Sequence, residues 1–356
     1  MHFQTLSQPD SYIGYVRKKR GGLFCLSGLV LICFLAALSF GAVQVDLFEA
    51  VRGVFTGTGS SRDGLILWQI RIPQALTALA AGAGLAGSGT VMQSVLKNPL
   101  ASPFTLGISH AAAFGAACAV MVMGSGIMGS SSADALNISY PVLTVGASFS
   151  FSMLTAWLII YIAGRHGAAP QVLVLTGVAL GSLFTAGTML LQFFADDVQL
   201  AAMVFWTFGD LARADWGDLK ILGPVTLFIL GFFLANARSY NALALGDETA
   251  QSLGIQVRRV RLAGMMAACL ATAVIISFVG IISFVGLVAP HIVRRVMGGD
   301  HYFLLPASLA VGALVLLGAD MAARLVLLPH VLPVSILTSF LGAPVFIYLI
   351  LKGERS

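Results

Sequence analysis

Long runs of hydrophobic residues that contain no Asp, Glu, Lys or Arg dominate the chain, and short polar segments separate them. A helix needs about 20 apolar residues to cross the roughly 30 Å hydrocarbon core of a bilayer. Most of the runs are long enough for one crossing, so the pattern predicts an all-α integral membrane protein. The uncharged runs are residues 21–45, 72–96, 98–133, 135–164, 166–195, 221–237, 262–293, 301–319 and 325–351.

The run 262–293 is too long for a single crossing, since one helix of that length would extend about 48 Å. It contains Gly280, Gly286 and Pro290, residue types that interrupt helices. Arginines cluster on both sides of it, within residues 258–261 and 294–295, and the positive-inside rule places both clusters in the cytoplasm. An even number of crossings must lie between them, so this run is predicted to form two helices. The prediction is ten transmembrane helices with both termini in the cytoplasm.

The distribution of charge supports this count, because most of the 20 lysines and arginines then lie on the cytoplasmic side. Residues 1–20 are predicted to form a cytoplasmic N-terminal segment. Residues 21–352 are predicted to form a single ten-helix transmembrane domain, with no separate soluble domain.

Composition narrows the functional classes. Hydrophobic residues make up 58% of the chain and charged residues 10%, whereas soluble domains contain about 25% charged residues. This balance excludes an ordinary soluble enzyme, a disordered chain, a disulfide-rich secreted domain and a sequence-specific nucleic-acid binder. The net charge of +5 fits the loop asymmetry of a membrane protein and does not indicate nucleic acid.

Nucleotide-binding and metal-binding motifs are missing from the sequence or stand in the wrong context. GAGLAG at residues 82–87 matches GxGxxG, but it lies inside a membrane helix and is predicted to pack that helix closely against its neighbours. No GxxxxGKS or GxxxxGKT motif occurs, so the chain itself cannot hold ATP phosphates in a P-loop. The four cysteines form no CxxC pair. We therefore predict no catalytic, cofactor or metal site in this chain.

Asp320 and Arg324 are ionisable residues within a predicted membrane helix. The i,i+4 spacing puts them on one face, with the acid N-terminal to the base, which is the favourable order. Arg324 lies closer to the helix end and is predicted to be nearer to water. Intramembrane ionisable residues are candidates for function, and the alternative is a structural pair that neutralises itself.

The polar segment 240–255 lies on the predicted cytoplasmic side between two membrane helices. Gly246 and Gly254 bracket the sequence DETAQSL, which is predicted to form a short helix. The segment could lie on the lipid surface or dock a cytosolic partner. Residues 243–255 contain no lysine or arginine, which argues against lipid binding.

Three segments resemble the FecCD-type permeases, the membrane subunits of type II ABC importers for ferric siderophores, haem and cobalamin. They are WQIRIPQALTALAAGAGLAGSGTVMQSVLKNPLASPFTLGIS (68–109), LALGDETAQSLGI (243–255) and the stretch 282–352, which begins ISFVGLVAPHIVRR. The resemblance implies a multi-pass protein of the bacterial cell membrane that is not an enzyme. It implies a second permease copy, identical or not, two cytosolic ATPase subunits that use ATP, and an extracytoplasmic binding protein.

The resemblance also assigns roles to residues. Arg71 and Arg324, with Asp320 holding Arg324, are expected to dock the binding protein. The family commonly has a second arginine where this chain has Gln74, so docking is expected to involve fewer ion pairs. The residues expected to couple to the ATPase are Gly246, Asp247, Glu248, Ala250, Leu253 and Gly254. The residues expected at the cytoplasmic gate are Asn98, Pro99, Leu100, Pro170 and Gln171.

The cargo and two other functional classes remain as alternatives. A ferric siderophore is the preferred cargo, with haem or cobalamin as the alternatives. An ion-coupled secondary transporter would need membrane-embedded carboxylates, and only Asp320 is available, already neutralised by Arg324. An intramembrane enzyme would need an HExxH motif or a paired catalytic constellation within a helix, and neither appears.

Overall fold

The computed structural model describes residues 10–41, 62–123, 141–328 and 330–353, and within these ranges the chain forms helices and turns without a β-strand. The helices are α1 Asp10–Ser39, α2 Arg62–Val95, α3 Ile108–Met123, α4 Pro141–Arg165, α5 Pro170–Phe194, α6 Asp197–Thr207, α7 Trp216–Ala235, α8 Ala237–Ala244, α9 Asp247–Ser252, α10 Val257–Val279, α11 Val285–Met297, α12 His301–Leu325 and α13 Val334–Gly353.

The predicted all-α membrane architecture is confirmed. Among the described residues, seven helices are long and apolar enough to cross a membrane, namely α1, α2, α4, α5, α7, α10 and α12. Two further helices, α3 and α13, contain shorter apolar stretches, Ile108–Val122 and Val334–Tyr348. The count of ten crossings and the cytoplasmic position of both termini stay predictions.

The long run 262–293 is interrupted at Gly280, one of its predicted break points, whereas Gly286 and Pro290 lie inside α11 and do not interrupt it. Helix α10 ends at Val279, and Gly280 follows with a φ of +79°, a conformation that favours glycine. Helix α11 begins at Val285. A β-carbon added to Gly280 would also lie 2.9 Å from the carbonyl oxygen of Trp206. The tight turn and the close backbone therefore both require glycine at this position.

The ends of several helices meet at what we call the basic end, defined by Lys97, Asp247, Arg261 and His301. Lys97 follows α2 and forms an ion pair with Asp247 of α9 at 2.8 Å. Ser94 Oγ of α2 lies 2.9 Å from His301 Nε2, at the start of α12. Helix α10 begins at this same end, and α11 ends four residues before His301. The arginine clusters on both sides of 262–293 thus share one end of the bundle.

Helix α2 forms the centre of the bundle and packs against α7, α10, α11 and α12. Its small residues allow backbones to approach each other. A β-carbon on Gly82 would overlap the carbonyl oxygen of Gly312, and one on Gly89 would overlap that of Gly286. The prediction that GAGLAG is a packing motif is therefore confirmed.

Some helix boundaries lie outside the uncharged runs. Helix α2 begins at Arg62 and continues through Arg71, although the run begins at residue 72. Helix α1 begins at Asp10 rather than at residue 21, because the basic residues between them have good helix propensity and continue the helix. Charge marks the edge of the hydrophobic run, but it does not end a helix.

Helix α6 is an element that hydropathy does not reveal. It begins with a capping box, in which Asp196 accepts a hydrogen bond from the backbone N–H of Gln199 at 2.7 Å and the Gln199 side chain accepts one from the backbone of Asp196. Its buried residues Ala202 and Met203 pack against Ala117 and Val120 of α3. The Asp-x-x-Gln spacing was the available signal for this helix.

Candidate functional site at the two ends of the bundle

The end opposite the basic end, which we call the far end, contains a buried cluster around Asp320. Its carboxylate accepts a hydrogen bond from Gln74 Nε2 at 2.9 Å and another from the Arg324 guanidinium. Arg324 also donates to the backbone oxygen of Ala37 in α1 at 3.3 Å. The acid is therefore paired and hydrogen-bonded on both oxygens, as a buried charge must be.

Arg71 belongs to the same cluster and is 5% exposed. It ends the π-helical turn Leu67–Arg71 within α2, and its guanidinium donates to the backbone oxygen of Phe40. Arg71 and Arg324 thus both hold carbonyl groups at the end of α1. The added residue in a π-helical turn shifts the side chains that follow it, and such turns are common at functional sites.

The structure brings Arg71, Asp320 and Arg324 together, as their predicted common role requires, but it buries all three. Arg324 is 6% exposed and Asp320 2%, so little of either side chain reaches the surface of the single chain. The physical reason is that α1 covers the guanidinium and supplies a carbonyl acceptor. The binding-protein docking role of the three residues remains a prediction.

Gln74 is the member of the far-end cluster that sequence reasoning missed. Its amide satisfies the second oxygen of Asp320. The available signal was its spacing, since Gln74 follows Arg71 by three residues and therefore shares its helix face.

At the basic end, Asp247 begins α9 and anchors it to the bundle. Its carboxylate pairs with Lys97 Nζ at 2.8 Å and with Arg261 Nη2 at 3.0 Å. Burial alone would raise the pKa of Asp247, but the hydrogen bonds and charges of Lys97 and Arg261 outweigh burial and lower it below its usual value. Gly246, just before α9, has a φ of +115°, which only glycine adopts readily.

Arg261 connects three elements of the basic end, a role that sequence reasoning missed. Its Nε donates to Val95 at the end of α2 at 2.8 Å, and its Nη1 donates to Ala168 before α5 at 3.1 Å. Its Nη2 donates to Asp247. The sequence analysis treated this arginine only as part of a positive-inside cluster, because a count of charges carries no information about which groups they contact.

The predicted coupling residues divide into exposed and buried positions. Glu248 and Gly254 are exposed, and Leu253 is 60% exposed. Ala250 is fully buried, in the same hydrophobic cluster as Leu243. The expectation that Ala250 itself touches a partner does not fit this position, because its side chain faces the bundle.

The two predicted gate turns also lie at the basic end. Asn98 organises the first turn, since its side chain accepts a hydrogen bond from the backbone N–H of Leu100 at 2.9 Å, and Pro99 and Leu100 are exposed. Pro170 is the first residue of α5, and Gln171 beside it is exposed. Arg261 binds the carbonyl groups that precede both turns, so the turns share one buried arginine.

Comparison with known proteins identifies the family. The model of the FecCD transport family matches residues 29–352. The chain belongs to this family. FecCD permeases are membrane transport subunits and not enzymes, and ATP hydrolysis lies in separate subunits. The chain is a multi-pass membrane protein, and a bacterial cell membrane is consistent with its bacterial relatives.

Individual relatives agree with this assignment. A protein of Methanocaldococcus jannaschii named as an ABC transporter permease is 46% identical, over 97% of this chain and 98% of its own length. The iron(3+)-hydroxamate import system permease of Bacillus subtilis is 33% identical, over 92% of this chain and 95% of its own. Other relatives are named as vitamin B12, hemin and Fe(3+)-citrate import permeases.

A solved structure supports the fold. It is described as an inward-facing conformation of a metal-chelate type ABC transporter and matches with a TM-score of 0.80. It is 29% identical and covers 94% of this chain and 99% of that one. The fold of the FecCD chain is therefore that of a type II ABC importer permease.

Proposed function

We propose that this FecCD permease moves a ferric siderophore from an extracytoplasmic binding protein into the cytoplasm, with haem or cobalamin as alternative cargo. It acts with a second permease copy and with two cytosolic subunits that bind and hydrolyse ATP. The observation that carries the proposal is the position of α9 at the basic end, where one side is anchored and the other is exposed. It is a short helix anchored by Asp247, with exposed residues on its outer side.

The coupling step of the proposal uses the exposed positions of 240–255. Leu245 and Leu253 are large apolar side chains at opposite ends of α9, and both are more than half exposed. Apolar anchors surrounded by polar residues such as Glu248 are typical of protein interfaces. The ATPase subunit is expected to cover these leucines, with Gly246 and Gly254 giving its backbone room to approach.

The cargo route of the proposal passes the gate turns and a groove beside them. A cavity of about 560 Å³ lies between α3 and α5, and its lining includes Phe104, Thr105, His110, Thr185 and Met189. Among the described residues that line this cavity there is no aspartate, glutamate, lysine or arginine. A neutral lining suits a cargo that arrives as a complete chelate, because such a cargo needs no metal ligands from the pathway.

Docking of the binding protein is proposed at the far end, around Arg71, Asp320 and Arg324. Because the arginines are buried, they would act by fixing the end of α1 through the carbonyl oxygens of Phe40 and Ala37. The ion-coupled alternative is not favoured, since the carboxylate of Asp320 is occupied by Gln74 and Arg324.

The first prediction concerns ATP hydrolysis. The purified chain alone is expected to hydrolyse no ATP, whereas the chain assembled with its ATPase subunits should hydrolyse ATP and import cargo into proteoliposomes. Uptake of radiolabelled ferrichrome, haemin and cyanocobalamin by the same vesicles identifies the cargo. Hydrolysis by the isolated, contaminant-free chain would refute the proposed division of labour, and preference for haemin or cyanocobalamin would replace the siderophore.

The second prediction tests α9. Ala250→Trp should abolish transport, because the indole cannot fit the buried site and must displace α9 from Leu243 and its other neighbours. Membrane insertion should be intact, since α9 lies outside the membrane-spanning helices. The measurements are cargo uptake and binding of the ATPase subunit, with Ala250→Ser as a control of similar size. Normal uptake by Ala250→Trp would show that coupling does not depend on the position of α9.

A further inference from the structure

We infer that Arg261 is the positioning residue that transmits a displacement of α9 to both gate turns at once. The inference rests on the proposed function, because it assigns a task within the coupling of ATP hydrolysis to cargo movement. It concerns a buried side chain outside the segment 240–255 and outside the two turns themselves.

The buried guanidinium group of Arg261 contacts three elements at once. Its side chain is 3% exposed, and each of its three nitrogens donates a hydrogen bond to a different element. The acceptors are the carbonyl oxygen of Val95, that of Ala168 and the carboxylate of Asp247. A guanidinium group is planar and rigid, so a shift of one acceptor changes the geometry at the other two.

Helix α9 is linked to each gate turn through Asp247. Asp247, the first residue of α9, pairs with Arg261 on one side and with Lys97 on the other. Lys97 directly precedes Asn98 of the first turn, and Arg261 holds Ala168, two residues before Pro170 of the second. A movement of Asp247 therefore acts on both turns together.

Helix α9 is bounded by residues that permit rotation. Gly246 and Gly254 flank it with φ values of +115° and +80°. Segments that move as units commonly turn about a few residues at the ends of an element. The helix can accordingly move between the two glycines while Asp247 keeps its contact with Arg261.

A purely structural role for Arg261 is the competing explanation. Val95 lies in the last turn of α2, where carbonyl groups lack a partner within the helix, so a cap is needed there. If Arg261 were only a cap, its substitution would lower the amount of assembled transporter, so ATP hydrolysis and cargo uptake would fall together. A transmitting role instead changes the number of ATP molecules hydrolysed per cargo molecule imported.

The test uses the complete transporter in proteoliposomes, with whichever of radiolabelled ferrichrome, haemin or cyanocobalamin the wild type imports. Arg261→Lys keeps the charge but replaces three donor nitrogens by one, so it cannot hold all three acceptors in the same geometry. We expect it to raise ATP hydrolysed per cargo molecule by at least about fivefold, the lower end of typical coupling effects. Asp247→Asn weakens the contact with Arg261 from a partly exposed position. It should also raise the number of ATP molecules hydrolysed per cargo molecule.

Arg258→Lys is the matched control. Arg258 lies one turn earlier on α10 and donates to the carbonyl oxygen of Gly164 in α4 at 2.7 Å, so this hydrogen bond leads to α4 and not to α9. In Arg258→Lys, the number of ATP molecules hydrolysed per cargo molecule should stay at the wild-type value. If Arg261→Lys does not assemble, Asp247→Asn decides the question by the same ratio.

The outcomes separate the inference from the proposed function. Wild-type ratios in both Arg261→Lys and Asp247→Asn, or an equal change in Arg258→Lys, would overturn the role of Arg261 while leaving the importer assignment intact. A wild-type complex that neither binds ATPase subunits nor imports any of the three probes would refute the proposed function, and the inference with it.

Discussion

Gly89→Ala is expected to prevent the protein from folding into its native bundle. Its β-carbon would occupy the position of the Gly286 carbonyl oxygen, where α2 and α11 cross. Backbone atoms cannot rotate away as a side chain can, so the two helices would have to separate. We expect a loss of at least about 3 kcal/mol, at the upper end of overpacking effects. Thermal unfolding in detergent and the yield of monodisperse protein measure the effect.

Gly318→Ala is the matched control for this experiment. Gly318 lies within α12, and no heavy atom outside its own helix and chain neighbours lies within 4 Å of a β-carbon added there. Alanine in a helix is favoured over glycine by about 0.5–1 kcal/mol, so this variant should be as stable as the wild type or slightly more stable. Equal stability of the two variants would mean that α2 and α11 do not cross at Gly89.

Arg324→Leu is the second change with a large expected effect. It removes the ion pair between Asp320 and Arg324 and leaves the buried carboxylate with its hydrogen bond from Gln74. Removing one partner of a buried ion pair typically costs about 3–5 kcal/mol. The variant is expected to unfold at a markedly lower temperature and to bind the binding protein less tightly, since α1 loses its contact with Arg324.

A double variant shows whether the unpaired charge is the cause. Adding Asp320→Asn to Arg324→Leu removes the buried charge, and replacing both members of such a pair is often nearly neutral. Stability should therefore recover in large part. If the double variant is as unstable as Arg324→Leu, the loss comes from the contact with Ala37 rather than from the carboxylate. If stability recovers but binding-protein affinity does not, the arginine acts on docking through α1.

The sequence predicts the helices well because a bilayer imposes long apolar segments, and because Gly280 lies where a tight turn is needed. The ends of the helices are less predictable, because a charged residue ends an uncharged run without ending the helix. Arg71 stands inside α2 without ending it, because a hydrogen bond to the carbonyl oxygen of Phe40, just after α1, offsets part of the cost of burying its guanidinium. Contacts between residues far apart in the chain decide such cases, and one sequence does not contain them.

The contacts at the candidate sites are likewise predictable only in part. The spacing of Asp320 and Arg324 predicts their pairing, because one helix turn separates them. The network of Arg261 could not be predicted, since its acceptors are backbone groups, Val95 at the end of α2 and Ala168 in the turn before α5. Backbone carbonyl groups look alike in every sequence, so only the packed structure identifies which ones an arginine binds.

The two faces of α9 have a consequence for how such a chain can change over generations. Asp247 and Ala250 contact the bundle, whereas Glu248 and Gln251 of α9, and Leu253 just after it, are exposed. Substitutions at these three positions alter what a partner meets without weakening the fold. A duplicated gene could thus acquire a new partner through a few surface changes, while the membrane-embedded part stays as it is.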